Sequence, residues 1–161
     1  VETIGRYAFS KCVNLQSVTI PDSVKIVEEG AFSGCEMLQH INMSQELEII
    51  GRHAFSMCSI TEIELPESLR VIGEYAFSNC LLESLIVPEG VQELGYEAFF
   101  QNRLLGKVIL PASLTKIGGS YLGSKVFDIC PNIRAYAPKG SVAERYCMEN
   151  GMELLDSPDG F

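Results

Sequence analysis

Cysteine is the residue type whose spacing in this chain could carry chemistry. Five of the six cysteines recur at one position of a regular pattern, namely Cys12, Cys35, Cys58, Cys80 and Cys130. Their wide spacing differs from the short paired spacings of a zinc site. Stacked at the distance between strands, their Cα atoms would lie within disulfide range, but parallel side chains would hold the Cβ atoms too far apart. We therefore expect a buried ladder of free thiols that pack as small apolar residues.

The two histidines add no catalytic or metal-binding constellation. His53 occupies a variable position at a predicted bend, where we expect it to be solvated. His40 lies at the start of a predicted strand, and Glu62 occupies the equivalent position one repeat later. We expect a surface ion pair there, because a metal site would need a further converging ligand such as Glu64. No serine or cysteine is placed beside a histidine and a carboxylate, so the sequence indicates no catalytic residue and no cofactor.

The composition describes an acidic globular chain. Its 161 residues include 12 Lys and Arg against 21 Asp and Glu, for a net charge of −9, and 47% are apolar. The apolar content excludes disorder, and the length is sufficient for a real core. The negative charge argues against nucleic-acid binding, and no apolar run is long enough to span a bilayer.

An internal repeat must position these residues. The dipeptide Ala-Phe recurs at steps of 23, 23, 22 and 22 residues, at Ala8-Phe9, Ala31-Phe32, Ala54-Phe55, Ala76-Phe77 and Ala98-Phe99. Units of this size cannot bury their own apolar face, so successive units must stack on one shared core. At the usual spacing of parallel strands, six coils would make an array about 30 Å long.

Each unit contains a short segment in which apolar and variable residues alternate, which is the period of a strand with one buried face. These segments are residues 18–20, 41–43, 63–65, 85–87 and 108–110. A proline, or Ser44 in one unit, follows each segment and ends the strand. A second extended piece, such as residues 24–27, comes next. A glycine then permits a bend, and the Ala-Phe pair forms a tight turn or short 3₁₀ segment.

The pattern Leu-x-x-Val-x-Ile-Pro-x-x-Val-x-x-Ile-Gly-x-x-Ala-Phe-x-x-Cys resembles the BspA-type leucine-rich repeat over residues 1–138. The resemblance implies a right-handed leucine-rich-repeat solenoid, which is mostly β, with short parallel strands and 3₁₀ turns in repeats of 22–23 residues. It also implies an extracellular or cell-surface bacterial protein that adheres to a host or matrix protein. The family defines no catalytic residues, so the resemblance implies no enzyme activity.

The two ends of the array differ. Ser141-Val142-Ala143-Glu144 is a capping box, in which we expect Ser141 to accept from the Glu144 amide and Glu144 to bond back to the Ser141 amide. A capping helix over about 142–149 is predicted, with a solenoid at residues 1–138 and a cap at 139–161. Val1 aligns with Val24 in mid-coil. We therefore expect the C-terminal part of a longer array, whose uncapped first coil could self-associate.

Residues 118–125 superficially resemble a phosphate-binding loop. Ser124 and Lys125 stand in the wrong order for that motif, and no helix pattern follows. Because this unit is five residues longer than the others, we expect a surface loop that bulges outward. The alternative is a small contact loop that presents Tyr121 and Leu122.

The outward positions of the strands carry the functional prediction. The central outward residues are polar in the first three units (Thr19, Asn42, Glu64) and apolar or aromatic in the last three (Ile86, Ile109, Tyr136). An exposed apolar strip with a polar rim favours a contact site, although β-branched and aromatic residues also simply suit strands. The candidate partner-binding residues are Glu64, Ile86, Lys107, Ile109 and Tyr136. A weaker stripe at Ile26, Ile49 and Val71 could serve self-association.

Two functions remain open from the sequence. The first is a non-catalytic protein-binding or adhesion module of a surface or secreted protein. The second is a passive spacer or display stalk, with binding or enzymatic activity in other domains of the parent chain.

Overall fold

The structure, a computed structural model, describes residues 2–119 and 125–160 of the chain. Six coils stack along one axis, and we number them by their Ala-Phe pairs, with Val126-Phe127 in the place of that pair in coil 6. The helix α1 (Val142–Glu149) follows coil 6 over the range that the sequence predicted. Within residues 2–119 and 125–160, no helix has the length and apolar character needed to cross a bilayer.

Short strands make up the rest of the regular structure. In chain order they are β1 (Thr3–Ile4), β2 (Ser17–Thr19), β3 (Ile26–Val27), β4 (His40–Asn42), β5 (Ile49–Ile50), β6 (Val71–Ile72), β7 (Ser84–Ile86), β8 (Glu93–Leu94), β9 (Lys107–Ile109), β10 (Lys116–Ile117), β11 (Arg134–Tyr136) and β12 (Glu153–Leu154). A 3₁₀ helix at Pro158–Gly160 follows the last strand. The strand pairs are parallel, as the solenoid prediction requires.

Six of the two-residue strands form one continuous sheet in the order β1-β3-β5-β6-β8-β10. Neighbouring strands pair equivalent residues, so that Ile50 faces Val27 on one side and Ile72 on the other. The second residue of β3, β5, β6 and β8 is buried, and the first is half-buried. One face of this sheet therefore lies in the core.

The three-residue strands, by contrast, form two separate sheets. One contains β2 and β4, and the other contains β7, β9, β11 and β12. The strand predicted at residues 63–65 of coil 3 is wrong, because this segment forms no regular structure. In coils 4 to 6 the middle residue of each strand (Leu85, Val108, Ala135) is buried and its neighbours point outward, as the alternation predicts.

The Ala-Phe turns place one phenylalanine above another through the whole array. The rings of Phe9, Phe32, Phe55, Phe77, Phe99 and Phe127 stack with centroids 5.2 to 5.6 Å apart and interplanar angles of at most 11°. Tyr146 of α1 ends the stack, 6.3 Å from Phe127. The stack thus connects all six coils to the cap through one apolar column.

Hydrogen bonds hold these turns to the next coil. In coil 3 the N–H groups of His53, Phe55 and Met57 donate to backbone carbonyls of coil 4 at 2.8 to 2.9 Å. The intervening N–H groups of Ala54 and Ser56 donate to the carbonyls three residues earlier. The expected 3₁₀ segment therefore takes the form of successive turns, in which every second N–H is used between coils.

The cysteine ladder is buried only in its middle. Cys35, Cys58 and Cys80 are buried and free, whereas Cys12 is exposed and Cys130 is half-buried, which corrects the expectation of a fully buried ladder. The position also does more than fill space. Each thiol from Cys35 onward donates to the carbonyl of the phenylalanine one coil earlier, for example Cys58 Sγ to Phe32 O at 3.4 Å.

Coil 5 carries Asn102 at this cysteine position. Its Nδ2 donates to the carbonyls of Phe77 and Phe99, at 2.8 and 2.9 Å. Its Oδ1 accepts from the Leu82 N–H at 3.2 Å. Asparagine therefore keeps the cysteine's bond to the preceding coil and satisfies one further buried backbone group.

The repeated glycines allow close packing of the backbone, a role that the sequence did not predict. Gly51, Gly73 and Gly95 do not adopt positive φ angles. A Cβ on Gly73 would lie 2.8 Å from backbone atoms of the preceding coil, and one on Gly95 would lie 2.4 Å from such atoms. No real side chain tolerates these distances, so the coils could not approach to hydrogen-bonding range.

The C-terminal cap is built partly as predicted. Ser141 Oγ accepts from the Glu144 N–H at 3.0 Å. Glu144 Oε2 accepts from Gly140, not from Ser141, because the Ser141 N–H donates to the Pro138 carbonyl. Ala143, Tyr146 and Cys147 face the core, while Val142 is only half-buried. The tail then adds β12 to the edge of β11, which the sequence did not predict.

The first prediction concerns the phenylalanine stack. We expect Phe55→Ala and Phe77→Ala each to lower the free energy of unfolding by about 3–5 kcal/mol, because each removes a fully buried ring. Phe9→Ala is the matched control, because Phe9 is 45% exposed at the end of the stack. Urea unfolding followed by circular dichroism measures all three, and equal losses at positions 9 and 77 would contradict the burial argument.

The second prediction concerns the glycines. Gly73→Ala should cost about 1–3 kcal/mol, since the new Cβ overlaps backbone atoms that cannot move aside. Gly5→Ala occupies the equivalent position in coil 1 and meets nothing within 4 Å. We expect it to leave the unfolding midpoint unchanged. A neutral Gly73→Ala would show that the coils separate more easily than the hydrogen bonds suggest.

Candidate functional site

The solvent side of the three-residue strands, which we call the main face, holds most of the candidate residues. Pairing between strands places Ile86 opposite Ile109, and Ile109 opposite Tyr136. Ile86 is 54% exposed, and the other two residues are half-buried. These three side chains, the apolar strip, therefore lie side by side on successive strands in the order that the repeat predicts.

A second row of outward residues runs beside the apolar strip. In the strand register, Lys107 lies opposite Ser84 on one side and opposite Arg134 on the other. Arg134 in turn lies opposite Glu153 of the C-terminal tail. The end of the main face formed by coils 5 and 6 therefore carries two cations beside the strip.

Glu64 lies apart from these residues, in the irregular segment of coil 3. Among the described residues, the backbone groups of residues 62–65 make no hydrogen bond. The equivalent bonds exist elsewhere: the Val87 N–H donates to Ile109 O at 3.0 Å and the Leu110 N–H to Tyr136 O at 2.9 Å. The N–H groups of Met43 and Leu65 have no such acceptor in the described part of the chain. The ladder of the main face is thus interrupted on both sides of coil 3.

Chain length alone does not explain the interruption. Coil 3 has one residue fewer than coil 2 between Cys58 and the next core residue, Ile60. Coil 5 in turn has one residue more than coil 4 in this segment, yet β7 and β9 remain paired. At that junction the Asn102 side chain bonds the Leu82 N–H. No side chain in the described residues bonds the Ile60 N–H in this way.

The interruption forms a shallow groove of about 670 Å³, the coil-3 groove. Residues 40–43 of coil 2, 62–65 of coil 3 and Ile86 of coil 4 form its main walls. Three of its lining residues are the carboxylates Glu62, Glu64 and Glu67. Among the described residues no lysine or arginine lines it, so the groove carries a negative charge.

The expected ion pair between His40 and Glu62 is not formed in the described part of the structure. Both side chains are exposed and both line the coil-3 groove. The prediction required paired strands on coils 2 and 3, and that pairing is absent. Within residues 2–119 and 125–160, no three His, Cys, Asp or Glu side chains converge as a metal site would need.

The other histidine is not freely solvated, which corrects the expectation for it. The His53 ring is half-buried and stacks on Tyr75, with centroids 4.7 Å apart and planes 5° apart. Burial lowers the pKa of His53 below its ordinary value, and the nearby Arg52 charge lowers it further. The repeat holds a signal for this stack, because His53 and Tyr75 each directly precede the Ala of the Ala-Phe pair in successive coils.

The thiols of Cys80 and Cys130 are poor nucleophiles in this setting. Burial raises the pKa of Cys80 to about 12 and the pKa of Cys130 to about 11. At neutral pH both thiols are therefore protonated, whereas a reactive cysteine requires the thiolate. Cys35, Cys58, Cys80 and Cys130 instead donate hydrogen bonds to the backbone of the preceding coil.

A second cavity, of about 530 Å³, lies at the C-terminal end between coil 6 and the cap. It is lined by Lys125, Asp128, Arg134 and Asn150 among others, and Lys125 pairs with Asp128 at 3.2 Å. The proposed contact loop with Tyr121 and Leu122 lies outside the described residues. Cys130 also lines this cavity, and its raised pKa keeps the thiol protonated at neutral pH.

Comparison with known proteins gives consistent results. The family model described as the BspA type leucine rich repeat region matches residues 2–134 in six copies. A leucine-rich repeat protein from Bacteroides ovatus ATCC 8483 is 33% identical, with a TM-score of 0.78 over 88% of this chain and 36% of that one. A Leucine Rich Repeat protein from T. pallidum is 30% identical, with a TM-score of 0.72 over 96% of this chain and 79% of that one.

A leucine rich cell surface protein from Faecalibacterium prausnitzii A2-165 is 26% identical, with a TM-score of 0.56 over 98% of this chain and 34% of that one. The chain thus spans about a third of the Bacteroides and Faecalibacterium proteins and most of the T. pallidum protein. No curated protein is significantly similar to it.

The third prediction concerns backbone protection at the interruption. The amides of Met43 and Leu65 should exchange hydrogen about tenfold faster, or more, than those of Val87 and Leu110, because only the latter donate to a neighbouring coil. Hydrogen exchange followed by NMR measures each amide. Equal protection at positions 65 and 87 would show that the ladder is continuous through coil 3.

Proposed function

The chain belongs to the BspA-type leucine-rich repeat family, and on that premise we propose that it is a non-catalytic binding module that holds a protein partner on its main face. The apolar strip is the observation that carries this proposal. Ile86 exposes 54% of its surface beside Ile109 and Tyr136. Clustered exposed apolar groups with a polar rim are typical of protein contact sites.

Charged residues complete the rim of this surface. Lys107 lies beside Ile109 on β9, and Glu64 borders Ile86 across the coil-3 groove. A partner that covers the strip would meet positive charge on one side and negative charge on the other. Such an arrangement favours one orientation of the partner, because like charges brought together are costly.

The rigidity of the array supports a binding role. The phenylalanine stack and the bonds between turns hold the strands in place before any partner arrives. A preformed face loses little conformational entropy when it binds. Repeat arrays commonly use such extended faces for recognition.

We further propose that the parent protein is bacterial, lies on the cell surface or is secreted, and adheres to a host or matrix protein. The family supports this location, as does similarity to a protein described as a leucine rich cell surface protein. The protonated thiols support a non-catalytic role, as does the lack, within the described residues, of a His, Cys, Asp and Glu cluster that could hold a metal ion. The Bacteroides and Faecalibacterium relatives are themselves about three times as long as the part that this chain matches.

The fourth prediction tests the apolar strip. The chain is immobilised, and a panel of purified host matrix and cell-surface proteins is passed over it to find a partner. Ile86→Ser/Ile109→Ser should then raise the Kd of that partner about tenfold or more, since apolar anchors carry much of the binding energy. Circular dichroism should show an unchanged fold, because neither side chain is fully buried.

The matched control variant replaces two other exposed apolar residues by serine, away from the apolar strip. Met57 and Ile129 are 53% and 48% exposed and occupy the same turn position in coils 3 and 6. We expect Met57→Ser/Ile129→Ser to leave the Kd unchanged. Equal affinity of both double variants would contradict the proposal, and a wild-type chain that retains no protein would favour the spacer or stalk function.

A further inference from the structure

We propose that the coil-3 groove binds an extended, lysine- or arginine-bearing segment of the protein partner. This inference rests on the proposed function and adds the chemistry of the bound segment and its place on the main face. Three features of the groove carry it: its unbonded backbone, its unpaired carboxylates and its continuity with the apolar strip.

The backbone of the groove has hydrogen-bonding capacity to spare. Residues 62–65 bond to no other described residue, and β4 and β7 are the edge strands of the two sheets that border them. Backbone N–H and C=O groups require partners, which are water in the free protein. An extended segment offers alternating donors and acceptors that can replace that water, as in other cases of strand recognition.

The carboxylates of the groove lack partners among the described residues. Four glutamates outside the groove pair with cations of neighbouring coils, namely Glu29 with Arg6, Glu48 with Lys25, Glu74 with Arg52 and Glu93 with Lys116. In contrast, the side chains of Glu62, Glu64 and Glu67 form no ion pair or hydrogen bond with any described residue. Charge complementarity therefore calls for a cationic occupant.

Spacing along the chain specifies how cations would be arranged. Glu62 and Glu64 are both exposed and are separated by the half-buried Ile63, so both carboxylates lie on the solvent side. Lysine or arginine residues that alternate in an extended segment would likewise share one face. Two such side chains can meet the two glutamates at once, and a guanidinium can bond a carboxylate through two N–H groups.

The groove opens directly onto the apolar strip. Ile86 belongs to both, since it lines the groove and pairs with Ile109. A volume of about 670 Å³ is comparable with pockets that hold small ligands, so it accommodates side chains of a peptide. One segment can therefore place its cations over coil 3 and an adjoining apolar residue on Ile86.

Selection from short random peptides displayed on phage tests this inference with the intact 161-residue chain as bait. We expect enriched peptides to carry two or more lysines or arginines at alternating positions. As synthetic peptides, they should bind Glu62→Gln/Glu64→Gln about tenfold or more weakly than wild type, since each variant side chain loses a charge-assisted bond. Binding should also weaken with added salt.

The control variant removes the same charge elsewhere. Glu36→Gln/Glu149→Gln changes two exposed glutamates that do not line the groove, so the net charge changes equally. We expect it to leave the peptide Kd unchanged. Equal weakening by both double variants would show that basic peptides respond only to the net charge of −9, and would overturn the inference.

Comparison with Ile86→Ser/Ile109→Ser separates this inference from the proposed function. Some peptides could lose affinity for that variant but bind Glu62→Gln/Glu64→Gln normally. That result would support the main face as a binding surface and overturn the inference that the groove binds a basic segment. Enriched peptides without positive charge would overturn the same inference. Peptides that are insensitive to both variants, or no enrichment at all, would overturn the basic segment and argue against the main face as a peptide-binding surface.

Discussion

Hydrogen bonds between successive coils are the constraint on which the rest of this structure depends. They hold each backbone group opposite its equivalent one repeat later, in the sheet of two-residue strands and in the Ala-Phe turns. A unit of 22 or 23 residues cannot bury a core alone, so the shared column of phenylalanine rings forms only because this register is kept. Glycine at positions 51, 73 and 95 is the steric condition for that close approach.

Departures from the repeat are informative because stacking demands a local solution for each of them. Asn102 replaces a cysteine and bonds both the preceding coil and a backbone group left open by a shortened coil. Gly30 lies where other coils carry larger side chains, and the Tyr7 ring packs across it. In coil 3 no described side chain bonds the open Ile60 N–H in this way, and there the ladder of the main face is lost.

The functional proposals follow from the same logic. Four acidic residues meet a cation on a neighbouring coil, whereas the three glutamates that line the coil-3 groove form no ion pair with a described residue. Unpaired charge, unbonded backbone and an adjoining apolar strip meet on one side of the array. A protein partner can satisfy all three at once, whereas a pure spacer has no need of them.

By itself, the sequence determined the period of the array, the inward phenylalanines, the order Ile86, Ile109, Tyr136 and the helix at Val142–Glu149. These follow from local patterns that stacking repeats in every coil. Only the tertiary structure decided that residues 62–65 leave the ladder, that Glu144 bonds Gly140, that Glu153–Leu154 extends the sheet and that His53 stacks on Tyr75. The physical reason is that a hydrogen bond or a ring contact depends on a few tenths of an ångström between neighbouring coils. Coil 3 keeps the alternating sequence pattern of the other coils, although its backbone lies too far from the neighbouring coils to form these hydrogen bonds.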